Sequence, residues 1–153
     1  METFLLCPPD YFQVDYSINP WMTGDLVDSR TAVFQWLDLV ASIQKAGGVV
    51  KTIKPHQGLP DMVFAANSGV VSNNIFIPSN MKYVQRKPEV KHYKDWFINK
   101  GYSVVDIIPT ANFEGCGDVV IHNDFLIGGH GYRSDLSALE IVANTLNLDL
   151  ISL

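Results

Sequence analysis

Acidic and amide side chains stand beside two apolar segments of the sequence, where they could bind a cation. Asp61 and Asp118 each precede a strand-like apolar run, and Asn67 lies near the far end of the first run. Glu114 comes shortly before Asp118, and the glycines between them let the backbone pass close to a ligand. We expect Asp61 and Asp118 to occupy matching places in two repeats, and all four side chains to face one polar pocket.

An acidic pocket of this kind suits a flat cation with several N–H donors, and a guanidinium is the natural match. Arg86 and Arg133 follow the two hairpin-like segments in matching loop positions, where an arginine suits a carboxylate. A ligand with a guanidinium at one end and a carboxylate at the other would use both sets. These residues therefore predict arginine or a related compound as the ligand. The alternative is that the acids only cap turns and that the arginines are solvated.

Three amphipathic helices are predicted to position these side chains. The first begins after an N-cap at Asp28-Ser29 and ends at Gly47-Gly48. The second is predicted over 88–100, with proline at its first position, and the third over 134–147.

Strand-like segments lead into and out of these helices. Two pairs of them indicate hairpins, with turns at Ser72-Asn73-Asn74 and Asn123-Asp124. The predicted strands cover 3–7, 49–53, 62–71, 75–77, 103–108, 119–122, 125–127 and 148–153.

The order strand–strand–helix–strand therefore occurs twice, with a period of about 50 residues, and a less complete version comes first. We interpret the chain as a single domain, 1–153, with repeats of approximately 1–55, 56–110 and 111–153. Radial packing of such units gives an α/β (α+β) propeller with its helices outside. The alternative is an ordinary open α/β sheet. Three units do not close a ring. Further sequence or a partner chain would complete it, or the exposed sheet edges are covered in another way.

Composition excludes several classes of function. The chain has 153 residues and a net charge of −5, without a run of Lys or Arg, which argues against nucleic acid or a membrane surface as partner. Neither a secretory signal nor an apolar stretch long enough for a bilayer is apparent. Two cysteines make no disulfide framework, so we expect a cytoplasmic protein. The four histidines lack metal-ligand spacing, and we expect neither a metal nor a cofactor.

Three segments in this order resemble the pentein superfamily of guanidino-group-modifying enzymes. They are LPDMVFAAN at 59–67, FEGCGD at 113–118 and GYRS at 131–134. The superfamily includes arginine deiminases, dimethylarginine dimethylaminohydrolases, amidinotransferases and arginine dihydrolases. The opening of the chain, with FLLCPP at 4–9 and INPWM at 18–22, looks most like the arginine dihydrolases.

The resemblance implies a five-bladed propeller of ββαβ units, of which this chain holds about three. It also implies a catalytic role for Glu114, as the carboxylate that binds and orients the guanidinium. Asn67 falls where many members of the superfamily have an aspartate that also holds the guanidinium.

Other roles follow from the same resemblance. Asp61 resembles the acid that meets the α-amino group of the substrate, and Arg86 and Arg133 resemble the pair that clamps its α-carboxylate. Asn19, in the opening loop, looks like a substrate-contacting residue of the dihydrolases. Asp118 is predicted, from its position alone, to line the same pocket.

The chemistry of the superfamily also needs a cysteine nucleophile and a histidine general acid/base, and this sequence lacks both at the expected places. No histidine follows His130 and no cysteine follows Cys116. A neighbouring carboxylate raises the pKa of a thiol, which disfavours Cys116 as a nucleophile. We therefore expect Cys116 to be a turn residue. Cys7 is expected to be buried and inert.

Two hypotheses follow. The chain is either the N-terminal part of a hydrolase for arginine or a related guanidino compound, with the histidine and cysteine in further sequence or in a complementing C-terminal chain. Or it is a catalytically inactive, truncated pentein that binds guanidino compounds or assembles with itself as a homo-oligomer.

Overall fold

A computed structural model describes residues 2–22, 24, 26–106 and 110–153. The chain divides into two compact units, the first ending at Ala65 and the second beginning at Ala66. Each unit is described below by itself.

The first unit contains a strand, a helix and a strand. Strand β1 (Thr3–Leu6) pairs in parallel with β2 (Val49–Thr52), and helix α1 (Ser29–Lys45) connects them. The helix begins where predicted, because the Asp28 carboxylate accepts a hydrogen bond from the Arg30 N–H at 3.0 Å. It ends before Gly47, whose φ of 88° suits glycine.

The first part of the second unit is a strand–strand–helix–strand repeat. Strands β3 (Gly69–Ser72) and β4 (Ile75–Pro78) form an antiparallel hairpin, helix α2 (Lys87–Asn99) follows, and β5 (Ser103–Val104) pairs in parallel with β4. The strand predicted over 103–108 is therefore shorter in the described residues, and its positions 107–109 lie outside them.

The second repeat has the same order. Strands β6 (Val119–His122) and β7 (Phe125–Gly128) form the hairpin, helix α3 (Leu136–Leu146) follows, and β8 (Asp149–Ser152) pairs in parallel with β7. Both predicted hairpins are confirmed. Their turns place asparagines at positive φ, which this residue tolerates better than most: Asn73, Asn74 and Asn123.

The prediction of a strand over 62–71 is wrong for residues 62–68 and confirmed for residues 69–71. The chain instead makes two 3₁₀ turns, Pro60–Val63 and Ala65–Ser68, before β3 begins at Gly69. The i→i+3 hydrogen bond from the Phe64 N–H to the Asp61 carbonyl, 3.0 Å, closes the first turn. Asp61 and Asn67 therefore lie in turns and not at the ends of a strand.

Asp61 and Asp118 do not occupy matching places, which corrects a second expectation. The hairpins repeat at an interval of 50 residues, from the Ser72–Ile75 pair to the His122–Phe125 pair. On that interval Asp118 corresponds to Ser68, which also precedes a hairpin. The repeat is real, but its acids are not repeated.

Helix α3 begins at Leu136 and not at the predicted residue 134. Asp135 takes the N-cap position with an extended backbone, and its carboxylate accepts a hydrogen bond from the Asn112 N–H at 2.7 Å. Ser134 is thereby left outside the helix, where its side chain is buried.

The core of the second unit lies between helix α3 and the two hairpins. Leu139 and Val142 of the helix are fully buried, as is Phe113 in the loop that leads to Glu114. The Phe113 N–H donates to the Asn80 carbonyl at 3.0 Å. Glu114 therefore follows a residue fixed both by packing and by a backbone hydrogen bond.

The described residues form open sheets of two, three and three strands. The mixed α/β architecture is confirmed, while the propeller with about three of five blades remains a prediction. None of the helices found in the described part of the chain is both long and apolar enough to cross a membrane.

Candidate functional site

The Glu114 side chain is buried beside a tight glycine turn. Glu114 is 1% exposed and directly precedes the 3₁₀ turn Gly115–Gly117. A Cβ at Gly115 would lie 2.5 Å from the carbonyl oxygen of Gly69, and its φ is +54°, so only glycine fits. The turn thus packs directly on strand β3 and carries Glu114 into the interior.

The chain's own Arg133 guanidinium lies against this carboxylate. Nη1 of Arg133 is 3.5 Å from Oε2 of Glu114. Its Nε donates to Oδ1 of Asp118 at 3.1 Å, and its Nη2 donates to the Gly117 carbonyl at 3.0 Å and also to Asp118. The site therefore holds one guanidinium between two carboxylates and a backbone carbonyl.

Ser134 connects the two acids, and the sequence analysis missed it. Its hydroxyl donates to Oδ2 of Asp118 at 2.7 Å and accepts a hydrogen bond from the Glu114 N–H at 3.0 Å. Ser134 is 1% exposed. The GYRS segment at 131–134 includes Ser134, but the sequence analysis gave that residue no role.

Burial dominates the electrostatics of Glu114. Loss of hydration raises the pKa of its carboxyl above the ordinary value, while Arg133, Arg86 and a hydrogen bond from the Lys82 backbone oppose that rise. The Asp118 charge adds to it. Oε1 of Glu114 is buried and has no hydrogen-bond partner within the described residues. An additional N–H donor on this oxygen would stabilise the carboxylate.

Arg86 forms a buried ion pair with Glu89, a residue that the sequence analysis did not identify. Nε and Nη2 of Arg86 donate to the two carboxylate oxygens of Glu89, at 3.2 and 2.9 Å. Both residues are buried, with 4% and 1% of their surface exposed. Arg86 directly precedes helix α2 and Glu89 lies in its first turn. Glu89 therefore fixes the orientation of the predicted carboxylate-binding arginine.

Asn67 lies beside the backbone that carries Glu114. Its Nδ2 is 3.5 Å from the Glu114 carbonyl oxygen, and its own carbonyl accepts a hydrogen bond from the Ser79 hydroxyl. A Cβ at Gly117 would overlap the Asn67 amide. The structure therefore brings together four of the predicted site residues: Asn67, Glu114, Asp118 and Arg133. Arg86, a fifth, lies near enough for its charge to lower the pKa of Glu114.

The other two predicted residues, Asn19 and Asp61, belong to the first unit. The Tyr16 hydroxyl donates to Oδ2 of Asp61 at 2.9 Å, and Asp61 is 2% exposed. Oδ1 of Asn19 accepts a hydrogen bond from the Trp21 N–H at 3.0 Å, which closes a turn of the opening loop. The Tyr16 contact ties that loop to Asp61. A substrate role for either residue stays a prediction.

The two cysteines are poorly suited to nucleophilic catalysis. Cys7 is 1% exposed, as predicted. Cys116 is exposed, but desolvation of its sulfur raises the pKa of the thiol, with a backbone hydrogen bond from Val71 opposing the rise. The direction agrees with our expectation, although desolvation and not a carboxylate is the main cause. The described site holds the planar cation of Arg133, and the raised pKa of Cys116 disfavours a thiolate at that residue.

The burial of Glu114 predicts a pH-dependent stability. Because the folded pKa lies above the unfolded one, the group stabilises the fold most below the unfolded pKa, and this contribution is lost as pH rises through the folded pKa. We expect the urea midpoint of the wild type, relative to Glu114→Gln, to fall as the pH rises from the ordinary glutamate pKa through the raised pKa of Glu114. Glu140→Gln, at an exposed position of α3, gives the baseline. A midpoint difference that rises with pH would contradict the assignment.

Comparison with known proteins gives strong similarities over nearly the whole chain. The bifunctional arginine dihydrolase/ornithine cyclodeaminase AgrE of Nostoc sp. (strain PCC 7120) is 38% identical over 154 residues, 98% of this chain and 22% of that protein. The N(G),N(G)-dimethylarginine dimethylaminohydrolase of Mycobacterium tuberculosis is 34% identical over 151 residues, 98% of this chain and 49% of that protein. The chain thus spans half or less of these two relatives. No protein-family model matches it.

Solved structures agree with these relatives. The substrate-bound structure of a mutant N-terminal domain of ArgZ, a cyanobacterial arginine dihydrolase, superposes with a TM-score of 0.94 at 36% identity. The match covers 98% of this chain and 56% of that one. A dimethylarginine dimethylaminohydrolase structure, 16% identical with a TM-score of 0.83, shares the fold.

Proposed function

We propose a function for this chain on the premise that it is a homologue of the N-terminal domains of arginine dihydrolases and of a dimethylarginine dimethylaminohydrolase, which share the pentein fold. It forms the guanidinium-binding part of a hydrolase that acts on arginine or a related guanidino compound. Hydrolysis of a guanidino C–N bond is the reaction class of these relatives.

The buried Glu114 carboxylate is the observation that carries this proposal. It already lies 3.5 Å from the guanidinium of Arg133, and its Oε1 has no partner among the described residues. A carboxylate in this state gains most from a ligand that brings paired N–H donors, which a guanidinium does in one plane. Asn67, next to the Glu114 backbone, would contact the same group.

The remaining predicted residues would hold the rest of an arginine-like substrate. In this proposal Arg86 and Arg133 bind the α-carboxylate, Asp61 meets the α-amino group, and Asn19 contacts the substrate from the opening loop. Glu89 supports this assignment for Arg86, because it holds the guanidinium in one orientation.

The covalent chemistry would come from a cysteine and a histidine outside this sequence. In the proposed reaction the thiolate bonds to the guanidinium carbon, the C–N bond to the leaving amine breaks, and the amine takes a proton from the histidine. Water, deprotonated by the same histidine, then releases the product and the thiolate. The role of the Glu114 carboxylate is to orient the substrate guanidinium and to stabilise its positive charge while the thiolate attacks.

Calorimetric titration of the chain with arginine tests the proposal. We expect saturable binding in the millimolar range or tighter, and no binding of citrulline, whose neutral urea group replaces the guanidinium. Absence of heat at millimolar arginine would contradict the proposed function. Arginine binding by a full-length protein that releases no ammonia from it would instead favour the non-catalytic guanidino binder.

A further inference from the structure

The Lys82 side chain joins two loops beside Glu114. Lys82 lies in the loop between strand β4 and helix α2, and its backbone N–H donates a hydrogen bond to the Glu114 carboxylate. Its Nζ donates to the carbonyl oxygen of Tyr132, which directly precedes Arg133. One residue therefore contacts both the buried carboxylate and the loop over 129–135 that brings Arg133 to it.

Two tyrosine rings lie beside the Lys82 ammonium. Its Nζ is 5.8 Å from the centroid of the Tyr83 ring and 5.4 Å from that of the Tyr132 ring. A cation over the face of an aromatic ring at such a distance is attracted to it. The two tyrosine side chains also hydrogen-bond to each other, and desolvation, followed by the influence of Tyr132, raises the pKa of Tyr83. Lys82, Tyr83 and Tyr132 thus form one cluster across the two loops.

Packing gives the middle of the 129–135 loop little support. Tyr132 is 59% exposed, and the residue before it, Gly131, has a φ of 93° and no side chain. The Gly131 N–H donates to the Ser134 carbonyl at 2.9 Å, which closes the loop on itself but does not attach it to the loop between β4 and α2. Lys82 supplies that attachment.

We propose that Lys82 is a positioning residue of the guanidinium site, whose ammonium holds the 129–135 loop in the place from which its side chains reach Glu114. The side chains concerned are those of Arg133 and Ser134. This inference rests on the proposed function. Lys82 acts through the loop and makes no contact with the ligand.

The contacts at Glu114 show why the position of this loop matters. Nη1 of Arg133 lies 3.5 Å from Oε2 of Glu114, and the Ser134 hydroxyl accepts a hydrogen bond from the Glu114 N–H at 3.0 Å. Both side chains belong to the two residues that follow Tyr132, so a displacement of the Tyr132 carbonyl moves them as well. Glu114 then loses part of the support that orients it, and a misplacement of about 1 Å is costly in a preorganised site.

The test compares two replacements of Lys82, an exposed residue whose variants should fold. Lys82→Met keeps the length of the side chain and removes the ammonium, and we expect it to weaken arginine binding about five- to tenfold. Lys82→Arg can still donate to the Tyr132 carbonyl and lie over the tyrosine rings, so it should bind arginine within about twofold of the wild type. Lys54→Met, at an exposed position of the first unit, is the matched control and should leave the affinity unchanged.

Amide hydrogen exchange shows whether Lys82 acts through the loop. In Lys82→Met we expect the Gly131 N–H to exchange at least about tenfold faster than in the wild type. The Leu126 N–H, in the central strand of its sheet, should keep its wild-type rate. Lys82→Arg should restore the slow exchange at Gly131.

Three results would overturn the inference: faster exchange with unchanged arginine affinity, weaker affinity without faster exchange, or no rescue by Lys82→Arg. In each of these cases arginine binding by the wild type leaves the proposed function standing. If the wild type does not bind arginine, the proposed function fails and this inference with it.

Discussion

Replacing Glu114 by glutamine is expected to weaken arginine binding at least about 30-fold, the largest effect on binding predicted for a single residue of the site. The amide keeps the shape of the side chain but loses the charge that a guanidinium pairs with. Truncating one partner of a buried, hydrogen-bonded charge pair costs about 2–5 kcal/mol. Calorimetric titration of the two proteins with arginine measures the difference in affinity.

Loss of folding is not expected to explain this result. Because burial raises the pKa of Glu114, its charged form costs stability at neutral pH, so the glutamine variant should fold. Glu140→Gln makes the same chemical change at an exposed position and should bind arginine normally. An unchanged arginine affinity in the folded Glu114→Gln protein would remove Glu114 from the site.

Replacing Glu89 by alanine is expected to lower the free energy of unfolding by about 3–5 kcal/mol, which is a large part of the stability of an ordinary domain. The variant removes the two oxygens that accept hydrogen bonds from Nε and Nη2 of Arg86, whose surface is only 4% exposed. Urea unfolding followed by circular dichroism measures the change. Asp95→Ala, which breaks the exposed Lys91–Asp95 pair of the same helix, should have a much smaller effect.

The double variant Arg86→Met/Glu89→Leu distinguishes the net contribution of the ion pair to stability from the cost of removing only one of its charges. Apolar replacements remove both charges, so we expect the double variant to be more stable than Glu89→Ala. A double variant that loses the sum of both single effects would show that the two residues act independently.

Elements fixed by short-range signals could be predicted from the sequence. Asn73 and Asn74 tolerate the positive φ that a tight hairpin turn requires, and Asp28 supplies the capping oxygen for α1. In both cases the residue type and its neighbours determine the conformation. The repeat of hairpin, helix and strand followed from these local signals.

The segment before β3 could not be predicted in the same way. Met62, Val63 and Phe64 have the apolar character of a strand, yet they belong to or follow a 3₁₀ turn. Pro60 at the start of that turn suits a first helical position, because its φ is fixed, but the apolar run that follows has the composition of a strand. The misplaced strand also produced the wrong match between Asp61 and Asp118.

Contacts that depend on tertiary packing could not be predicted from the sequence either. Ser134 contacts the Glu114 backbone, 20 residues earlier in the chain, and only the fold brings the two together. Glu89 is in helical range of Arg86, but its burial and not its spacing makes the pair important. The sequence indicated that Arg133 recognises a carboxylate; its contact with Glu114 depends on the fold.

Carbon-13 NMR of the chain labelled at glutamate Cδ shows whether a ligand guanidinium binds at the Glu114 carboxylate. We expect arginine to shift the Glu114 resonance progressively to saturation, with the dissociation constant found by calorimetry. The Glu114 signal is identified by its loss in Glu114→Gln. Citrulline should leave the resonance unchanged. Saturable arginine binding that leaves the Glu114 carboxylate resonance unchanged would show that the ligand guanidinium binds elsewhere, and Glu114 would not be its partner.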